Sequence, residues 1–162
     1  RRIATEIGGP QVATVGRIEL TPNLVNVVPS TATLNVDLRH TDEAELQRAE
    51  ALLTAHLDAV AAAEAVTVER RVLARFEPVD FDAGMVDLVA ATAERLGYST
   101  RRMPSGAGHD AQMLARVCPT AMVFVPSAQG LSHNIAEHTD AADLARGANV
   151  LLHVLLQSAH EG

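Results

Sequence analysis

Two polar loops carry the residues whose types could do chemistry. The first, GLSHNIAEH at residues 130–138, contains His133 between two polar neighbours. A neutral imidazole is the commonest metal ligand, and polar neighbours can orient it. One histidine is not a metal site, because zinc takes three or four protein ligands. From spacing alone, His133 is either a ligand whose partners lie elsewhere or a solvent-exposed loop residue, and Glu137 and His138 are weaker candidates still.

The second loop, PSGAGHD at residues 104–110, has two glycines ahead of a histidine and an aspartate. Glycines let a backbone approach a bound anion, and successive N–H groups can bind it. Gly108 could offer such an amide, and His109 could donate to a carboxylate or a developing oxyanion. The alternative is a glycine turn in which Asp110 caps the helix that follows.

Two residues of the N-terminal half could bind a substrate. Arg39 in VDLRH has a planar guanidinium, which suits a carboxylate. A cross-strand pair with a nearby acid is the usual alternative. Asn26 in LVNVVPS could contact a ligand or could be a bulge or turn residue. Spacing alone leaves these alternatives open.

Three strands are predicted to position the N-terminal candidates. ATLNVDLRH at residues 32–40 alternates apolar and polar side chains, which is typical of a half-buried antiparallel strand. This alternation places Arg39 on the polar face. QVATVGRIEL at 11–20 and VTVERRVLARF at 66–76 are predicted as the other strands.

One long helix is predicted between the second and third strands. Asp42 and Glu45 have the spacing of a capping box, so the helix should begin there and run to about Ala63. Its apolar stripe is Leu46, Ala49, Leu53, Leu57 and Val60. Residues 1–79 therefore predict a two-layer α+β unit, in which the helix packs on one face of an antiparallel sheet.

Residues 80–162 alternate helix and strand, as an open α/β sheet does. Helices are expected from Asp82 to Gly97, over 110–117 and from Ala141 onward, and strands over 99–103 and 121–126. The inward residues are predicted to be Met85, Leu88, Val89 and Leu96 in the first helix, and Leu144, Ala148, Leu151, Leu152 and Leu155 in the last. Ligands of open sheets bind beyond the carboxyl ends of the strands, where both polar loops would lie.

The strand AMVFVP at 121–126 lacks alternation and suits a parallel strand covered on both faces. Two strands are fewer than the ~4–6 of a typical sheet. With Arg1 rather than Met at the start, this favours the C-terminal part of a larger enzyme.

Composition excludes several classes of protein. The formal net charge of -7 argues against nucleic acid, which needs a basic surface. No apolar run is long enough to span a membrane. The single cysteine, Cys118, cannot form an internal disulfide, so we expect a cytoplasmic protein.

Three motifs together resemble a known family. TPNLVNVVPSTATLNVDLRH, MPSGAGHDAQMLA and FVPSAQGLSHNIAEHTDAADLARGANVLL are similar to the C-terminal half of M20-type metal-dependent amidohydrolases. The resemblance is to the hydantoinase/carbamoylase branch, which includes N-carbamoyl-L-amino-acid hydrolases, β-ureidopropionases and allantoate amidohydrolases. GAGHDA is the discriminating segment, because aminoacylase and peptidase relatives usually have a GGT- or GGG-type segment there. Essentially the whole chain takes part in the resemblance, and three motifs in order favour the functional interpretation of the loops.

The resemblance implies a catalytic domain interrupted by a lid domain that also forms a homodimer. Residues 1–79 would be an incomplete lid, and residues 80–162 the C-terminal segment of the catalytic domain. Two divalent metal ions (Zn, Mn, Co or Ni) would bind mostly to ligands outside this chain. The catalytic glutamate is also expected outside it, so the chain alone should be inactive.

By resemblance, His133 is the last metal ligand. Asn26 and Arg39 bind substrate from the lid, and Arg39 grips its carboxylate. Gly108 and His109 add substrate contacts from the catalytic domain. The implied activity is hydrolysis of the carbamoyl or ureido C–N bond of an N-carbamoyl amino acid or an allantoate-like substrate. The alternatives are a non-catalytic dimerisation or binding module, or an M20 peptidase or deacylase, against which His109 argues.

Overall fold

The computed structural model describes residues 1–161 and divides the chain into two compact units, with the boundary between Pro78 and Val79. The predicted boundary followed residue 79, and the assignment of lid and catalytic domain stays a prediction. The elements in chain order are α1 (Arg2–Ile7), β1 (Val12–Thr21), β2 (Thr31–Arg39), α2 (Glu43–Glu64), α3 (Ala83–Arg95), α4 (Ala111–Leu114) and α5 (Ala141–Glu161), with a 3-10 turn at Ala128–Gly130. This combination of helices with a small antiparallel sheet confirms the α/β class. Within residues 1–161, none of the helices combines the length and the apolarity that crossing a membrane requires.

A β-bulge gives the hairpin of the first unit one apolar face. β1 and β2 pair antiparallel from Val12 opposite Arg39 to Thr21 opposite Thr31, and the register shifts between Val15 and Arg17. The extra residue there, Gly16, changes which side chains of β1 share a face. The apolar face consequently runs the length of the hairpin: Ala13, Val15, Ile18 and Leu20 lie opposite Leu38, Val36, Leu34 and Ala32. Arg39 lies on the other, mostly polar face, as predicted.

Helix α2 begins where the capping box predicted. The Asp42 side chain accepts a hydrogen bond from the Glu45 backbone N–H at 3.0 Å. The helix contacts β2 but buries only Leu46 and Ala49 of its predicted stripe. On the apolar face of the hairpin, Leu34 remains 51% exposed. The helix therefore covers less of the sheet than predicted.

The segment 66–76 is not a strand, contrary to the prediction. Among the described residues, the sheet of this unit has two strands, so the segment has no ladder to join. Side chains attach it to α2 instead: Arg70 forms an ion pair with Asp58, and Arg75 forms one with Glu43. Strand-like composition was therefore an insufficient signal, because a strand also needs a paired neighbour.

Helices α3 and α5 form the core of the second unit. Asp82 caps α3, accepting from the Met85 N–H at 2.8 Å. The buried centre consists of Ala93, Val150 and Val154, and the residues packed against it are Met85, Leu88, Val89, Leu96, Tyr98 and Val123. The inward residues predicted for α3 are confirmed.

The face predicted inward for α5 is wrong. Leu151 and Leu155 are 49% and 59% exposed, while Val150 and Val154 are buried. Gly147 explains the choice of face, because a Cβ there would lie 2.4 Å from Cγ1 of Val125. Only the face of α5 that carries Gly147 can approach Val125 at this distance. The face that carries Leu151 and Leu155 therefore points away from Val125.

The predicted strands at 99–103 and 121–126 are also absent. Within residues 1–161 no backbone hydrogen bonds join the two segments into a ladder. Val123 packs instead against the core of the two helices. The argument that placed both polar loops at the carboxyl ends of strands therefore loses its basis.

Candidate functional site

Arg39 is held in place by a residue of its own strand. Its Nε lies 2.9 Å from Oδ2 and 3.1 Å from Oδ1 of Asp37, and its Nη2 lies 2.6 Å from Oδ2. The hydrogen bond that the guanidinium donates to the Asp37 carboxylate raises the pKa of Arg39 above its ordinary value. The two side chains remain 52% and 44% exposed. Because a guanidinium has five N–H donors, the same side chain can hold Asp37 and a substrate carboxylate.

Gln11 is a neighbour of this site that the sequence reasoning missed. It is 7% exposed, and its Nε2 donates to the carbonyl oxygens of Arg39, at 3.1 Å, and Val12, at 2.6 Å. It thereby fixes the end of β2 from which the Arg39 side chain projects. The only sequence signal was a polar residue at the start of a strand, which is too common to interpret.

Asn26 lies in the loop 22–30, at the other end of the hairpin. The loop is closed by the Ser30 N–H, which donates to the Thr21 oxygen at 2.8 Å. Val25 is 105% exposed, so the tip of the loop does not fold back onto the sheet. A strand rises by about 3.3 Å per residue, so roughly 26 Å separates the ends of β2. One small substrate therefore cannot bridge Asn26 and Arg39 of the same chain.

His109 has a defined tautomer. Its Nδ1 accepts a hydrogen bond from the Ala111 backbone N–H at 3.0 Å. A ring nitrogen that accepts carries no proton, so the neutral ring is protonated on Nε2. The side chain can therefore offer an Nε2–H donor to a ligand, which is the role that polarising a carbonyl oxygen requires.

Asp110 does not cap α4 with its side chain, so the alternative in which it serves as a helix cap is not supported. The ring of His109 binds the first amide of the helix instead. Gly108 does not have a positive φ, and a Cβ there would meet only Oε1 of Gln112, at 3.9 Å. Neither backbone conformation nor internal packing thus requires glycine at position 108, which supports close approach by a ligand as the reason for it.

His133 lies in a tightly turned loop and has a left-handed backbone, with φ of 55°. Its N–H donates to Oε2 of Glu137 at 3.0 Å. His138 instead lies 3.3 Å from Asp140, and both of these side chains are largely exposed. The two histidines therefore have different surroundings: the backbone of His133 is held by a specific turn, and His138 is a surface residue.

The described residues fit one metal ligand rather than a complete metal site. Among residues 1–161, no group of three histidine, cysteine, aspartate or glutamate side chains could hold an ion. The His133 imidazole has the right donor chemistry for a divalent transition metal. The hydrogen bonds of His109 and of His133 each join the histidine to residues close to it in sequence.

The first unit combines a hairpin with helices and carries Arg39. The second unit is helical within residues 79–161 and carries the glycine-rich loop and the turned loop of His133. The chain belongs to Peptidase family M20/M25/M40, because the sequence model of that family matches residues 3–157.

Similar proteins indicate the branch of the family to which the chain is related. The chain is 40% identical over 156 residues to the allantoate amidohydrolase of Escherichia coli, covering 96% of this chain and 38% of that protein. It is 38% identical over 157 residues to the N-carbamoyl-L-amino-acid amidohydrolase of Rhizobium meliloti, covering 97% and 38%. The crystal structure of an amidase of the hydantoinase/carbamoylase family from Burkholderia vietnamiensis superposes with a TM-score of 0.92 at 42% identity, covering 96% and 38%.

The resemblance to the hydantoinase/carbamoylase branch is thereby confirmed. The chain spans about 38% of the length of these relatives.

Proposed function

We propose that the protein is a metal-dependent amidohydrolase that cleaves the carbamoyl or ureido C–N bond of an N-carbamoyl amino acid or an allantoate-like substrate. The observation that carries the proposal is the similarity to two enzymes named for such substrates, over 96% and 97% of this chain. The matches extend over 156 and 157 of the 162 residues, so they span the part of the chain that carries the glycine-rich loop with His109 and the loop with His133.

The substrate-binding roles follow the chemistry of each side chain. Arg39 binds a carboxylate, which carbamoyl amino acids and allantoate both carry, because its fork is fixed by Asp37. His109 donates from Nε2 to the oxygen of the scissile carbonyl, and the Gly108 amide lies beside it. Asn26 supplies an amide to the polar part of the substrate.

His133 provides one ligand to a pair of divalent metal ions whose other ligands lie outside the described residues. When bound, such ions supply Lewis acidity and make water a nucleophile at neutral pH. A glutamate outside residues 1–161 acts as the general base.

The protein works as a homodimer through its first unit, in the cytoplasm. The separation of Asn26 and Arg39 along the hairpin supports this assembly, since two copies can bring the two residues to one substrate. Co-expression of an Asn26→Ala chain with an Arg39→Ala chain tests the arrangement. Mixed dimers should regain activity if the residues of one site come from different copies, because one site of the two is then intact. No recovery would refute the proposal that two copies contribute Asn26 and Arg39 to one site.

Substrate class is tested with the full-length enzyme by two assays, which measure ammonia released from the carbamoyl and ureido compounds and free amino acid released from the acyl and peptide compounds. N-carbamoyl amino acids, N-carbamoyl-β-alanine and allantoate are compared with N-acyl amino acids and dipeptides. Activity confined to the carbamoyl and ureido compounds is expected. Preferential cleavage of acyl or peptide bonds would identify a deacylase or peptidase, and inactivity on all substrates with metal supplied would favour a binding module.

The metal ligand is tested by His133→Ala in the full-length enzyme, with His138→Ala as the matched control from the same loop. We expect the first variant to lose bound metal and nearly all activity, and the second to retain both. Metal analysis of the purified variants decides, and equal metal content in both would refute the role of His133.

A further inference from the structure

The loop of His133 has more left-handed residues than its glycine content explains. Gln129, Gly130 and His133 have φ values of 59°, 67° and 55°. For a residue with a side chain this conformation is unfavourable, and it persists where the surroundings hold it. The loop must therefore contain contacts that keep His133 in this conformation.

One side chain supplies the contact at His133 itself. Oε2 of Glu137 accepts the His133 N–H at 3.0 Å. The Glu137 N–H in turn donates to the Asn134 oxygen at 3.0 Å, and Oδ1 of Asn134 accepts the Ala136 N–H at 2.9 Å. These three hydrogen bonds lie within five consecutive residues, so the position of the carboxylate and the backbone angle of His133 depend on each other.

The loop is closed at its base, which makes this turn a fixed unit. The Ala128 N–H donates to the His138 oxygen at 2.7 Å, and the Ser127 hydroxyl donates to the Leu131 oxygen. The turn at 133–137 thus lies within a loop that is itself closed by hydrogen bonds.

We propose that Glu137 is a positioning residue that holds His133 in its left-handed conformation and so aims its imidazole at the metal. This inference rests on the proposed function only for the identity of what His133 binds. Glu137 acts as a hydrogen-bond acceptor through the backbone of His133 and not as a ligand or a base. Partners that orient a metal ligand contribute to metal affinity even though they do not touch the ion.

Three substitutions in the full-length protein separate these roles. Glu137→Ala removes the acceptor, and Glu137→Gln keeps an acceptor oxygen without the charge. His138→Ala is the control in the same loop, because its largely exposed side chain lies beside Asp140 and not beside Glu137 in the ion pairs of the described residues. Hydrogen exchange of the His133 amide and metal affinity, measured by competition with a chelator for Zn²⁺, are the two readouts.

We expect Glu137→Ala to speed exchange at the His133 amide by about two- to tenfold, as loss of one hydrogen bond implies. Its metal affinity should fall by about 10- to 100-fold. Glu137→Gln and His138→Ala should resemble the wild type in both readouts. Unchanged exchange and affinity in Glu137→Ala would overturn the proposal, and so would an equal loss in Glu137→Gln, which would assign the effect to charge or direct ligation.

Failure of the proposed function remains distinguishable. If His133→Ala leaves metal affinity unchanged, His133 is not a ligand and the proposed function is refuted at that point. Faster hydrogen exchange at the His133 amide in Glu137→Ala would then still show that Glu137 stabilises the backbone of His133. Unchanged exchange would refute this stabilisation too.

Discussion

Replacement of Arg39 by lysine should raise the KM of the full-length enzyme and leave its metal content unchanged. The guanidinium makes a forked contact with Asp37, with Nε at 2.9 Å and Nη2 at 2.6 Å from the same oxygen. An ammonium is a point charge that cannot reproduce this geometry toward Asp37 and a substrate carboxylate together. Hydrogen bonds to charged groups contribute about 1.5–3 kcal/mol each. Since about 1.4 kcal/mol corresponds to a factor of ten, KM should rise by about 10- to 100-fold.

The same substitution should affect stability much less. Both side chains of the Asp37–Arg39 pair are about half exposed, and exposed ion pairs contribute only about 0–1 kcal/mol. Urea denaturation of Arg39→Lys should therefore give a free energy of unfolding within about 1 kcal/mol of the wild type. A large KM effect with a small stability effect distinguishes a binding role from a structural one.

Arg17→Lys is the matched control. Arg17 lies on the same face of the hairpin and pairs with Glu19, two residues along its own strand, with both side chains more than half exposed. Its KM should equal that of the wild type in steady-state assays. The reasoning is refuted if Arg39→Lys has a normal KM, if it loses metal, or if Arg17→Lys shows the same increase.

Three further predictions concern stability. Gly147→Ala should lower the free energy of unfolding by about 1–3 kcal/mol in chemical denaturation, because its Cβ would lie 2.4 Å from Cγ1 of Val125. The cost of this clash exceeds the gain in helix propensity from alanine, and an unchanged or increased stability would contradict the prediction. Asp82→Ala should cost about 1 kcal/mol through loss of the α3 cap, whereas Asp82→Asn, which keeps an acceptor, should not, as thermal unfolding can check. The hydrogen bond from Arg75 lowers the pKa of Glu43, so the ion pair stabilises the fold above the ordinary glutamate pKa. This stabilisation is lost as the pH falls through the lowered pKa of Glu43. Arg75→Gln should therefore flatten that part of the stability–pH profile, and an unaltered profile would refute the contribution of the pair.

Local signals predicted helices well. Asp42 and Asp82 both stand where capping was expected, and both accept the expected backbone hydrogen bond. Helix formation depends on residues close in sequence, so caps and periodicity carry most of the information. Alternation in the same way predicted β2 and the polar face that carries Arg39.

Pairing and packing could not be predicted in this way. The segments 66–76, 99–103 and 121–126 have strand-like composition, but none has a paired neighbour within residues 1–161. The face of α5 that is buried depends on one close approach at Gly147, which hydrophobic periodicity does not encode. Large leucines therefore suggested the wrong face.

For the candidate site as well, some features could be predicted from the sequence and others could not. Residue types made His109 and His133 candidates and the resemblance to the family gave them roles, but their partners were not visible in the sequence. Gln11 reaches Arg39 across 28 positions, and Glu137 acts within a turn whose shape has no local signature. Both had the composition of ordinary polar surface residues, and only their hydrogen bonds assign them a role.

Two of the proposed site side chains are oriented within their own segments: Arg39 by Asp37 and His109 by the Ala111 amide. For His133, the hydrogen bond to Glu137 holds the backbone N–H. Side chains ordered before a ligand arrives lose less entropy on binding, so Arg39 and His109 can contribute more of their interaction energy to affinity.

Asn26 differs from these residues, because no hydrogen bond among the described residues holds its side chain. Its neighbours Val25 and Val28 are 105% and 89% exposed, which is an unfavourable arrangement for valines unless another surface covers them. A residue in such a loop acquires its orientation from whatever packs there. The loop thus has the properties that a contribution from a second copy of the chain requires, whereas Arg39, at the opposite end of the same hairpin, does not depend on such packing.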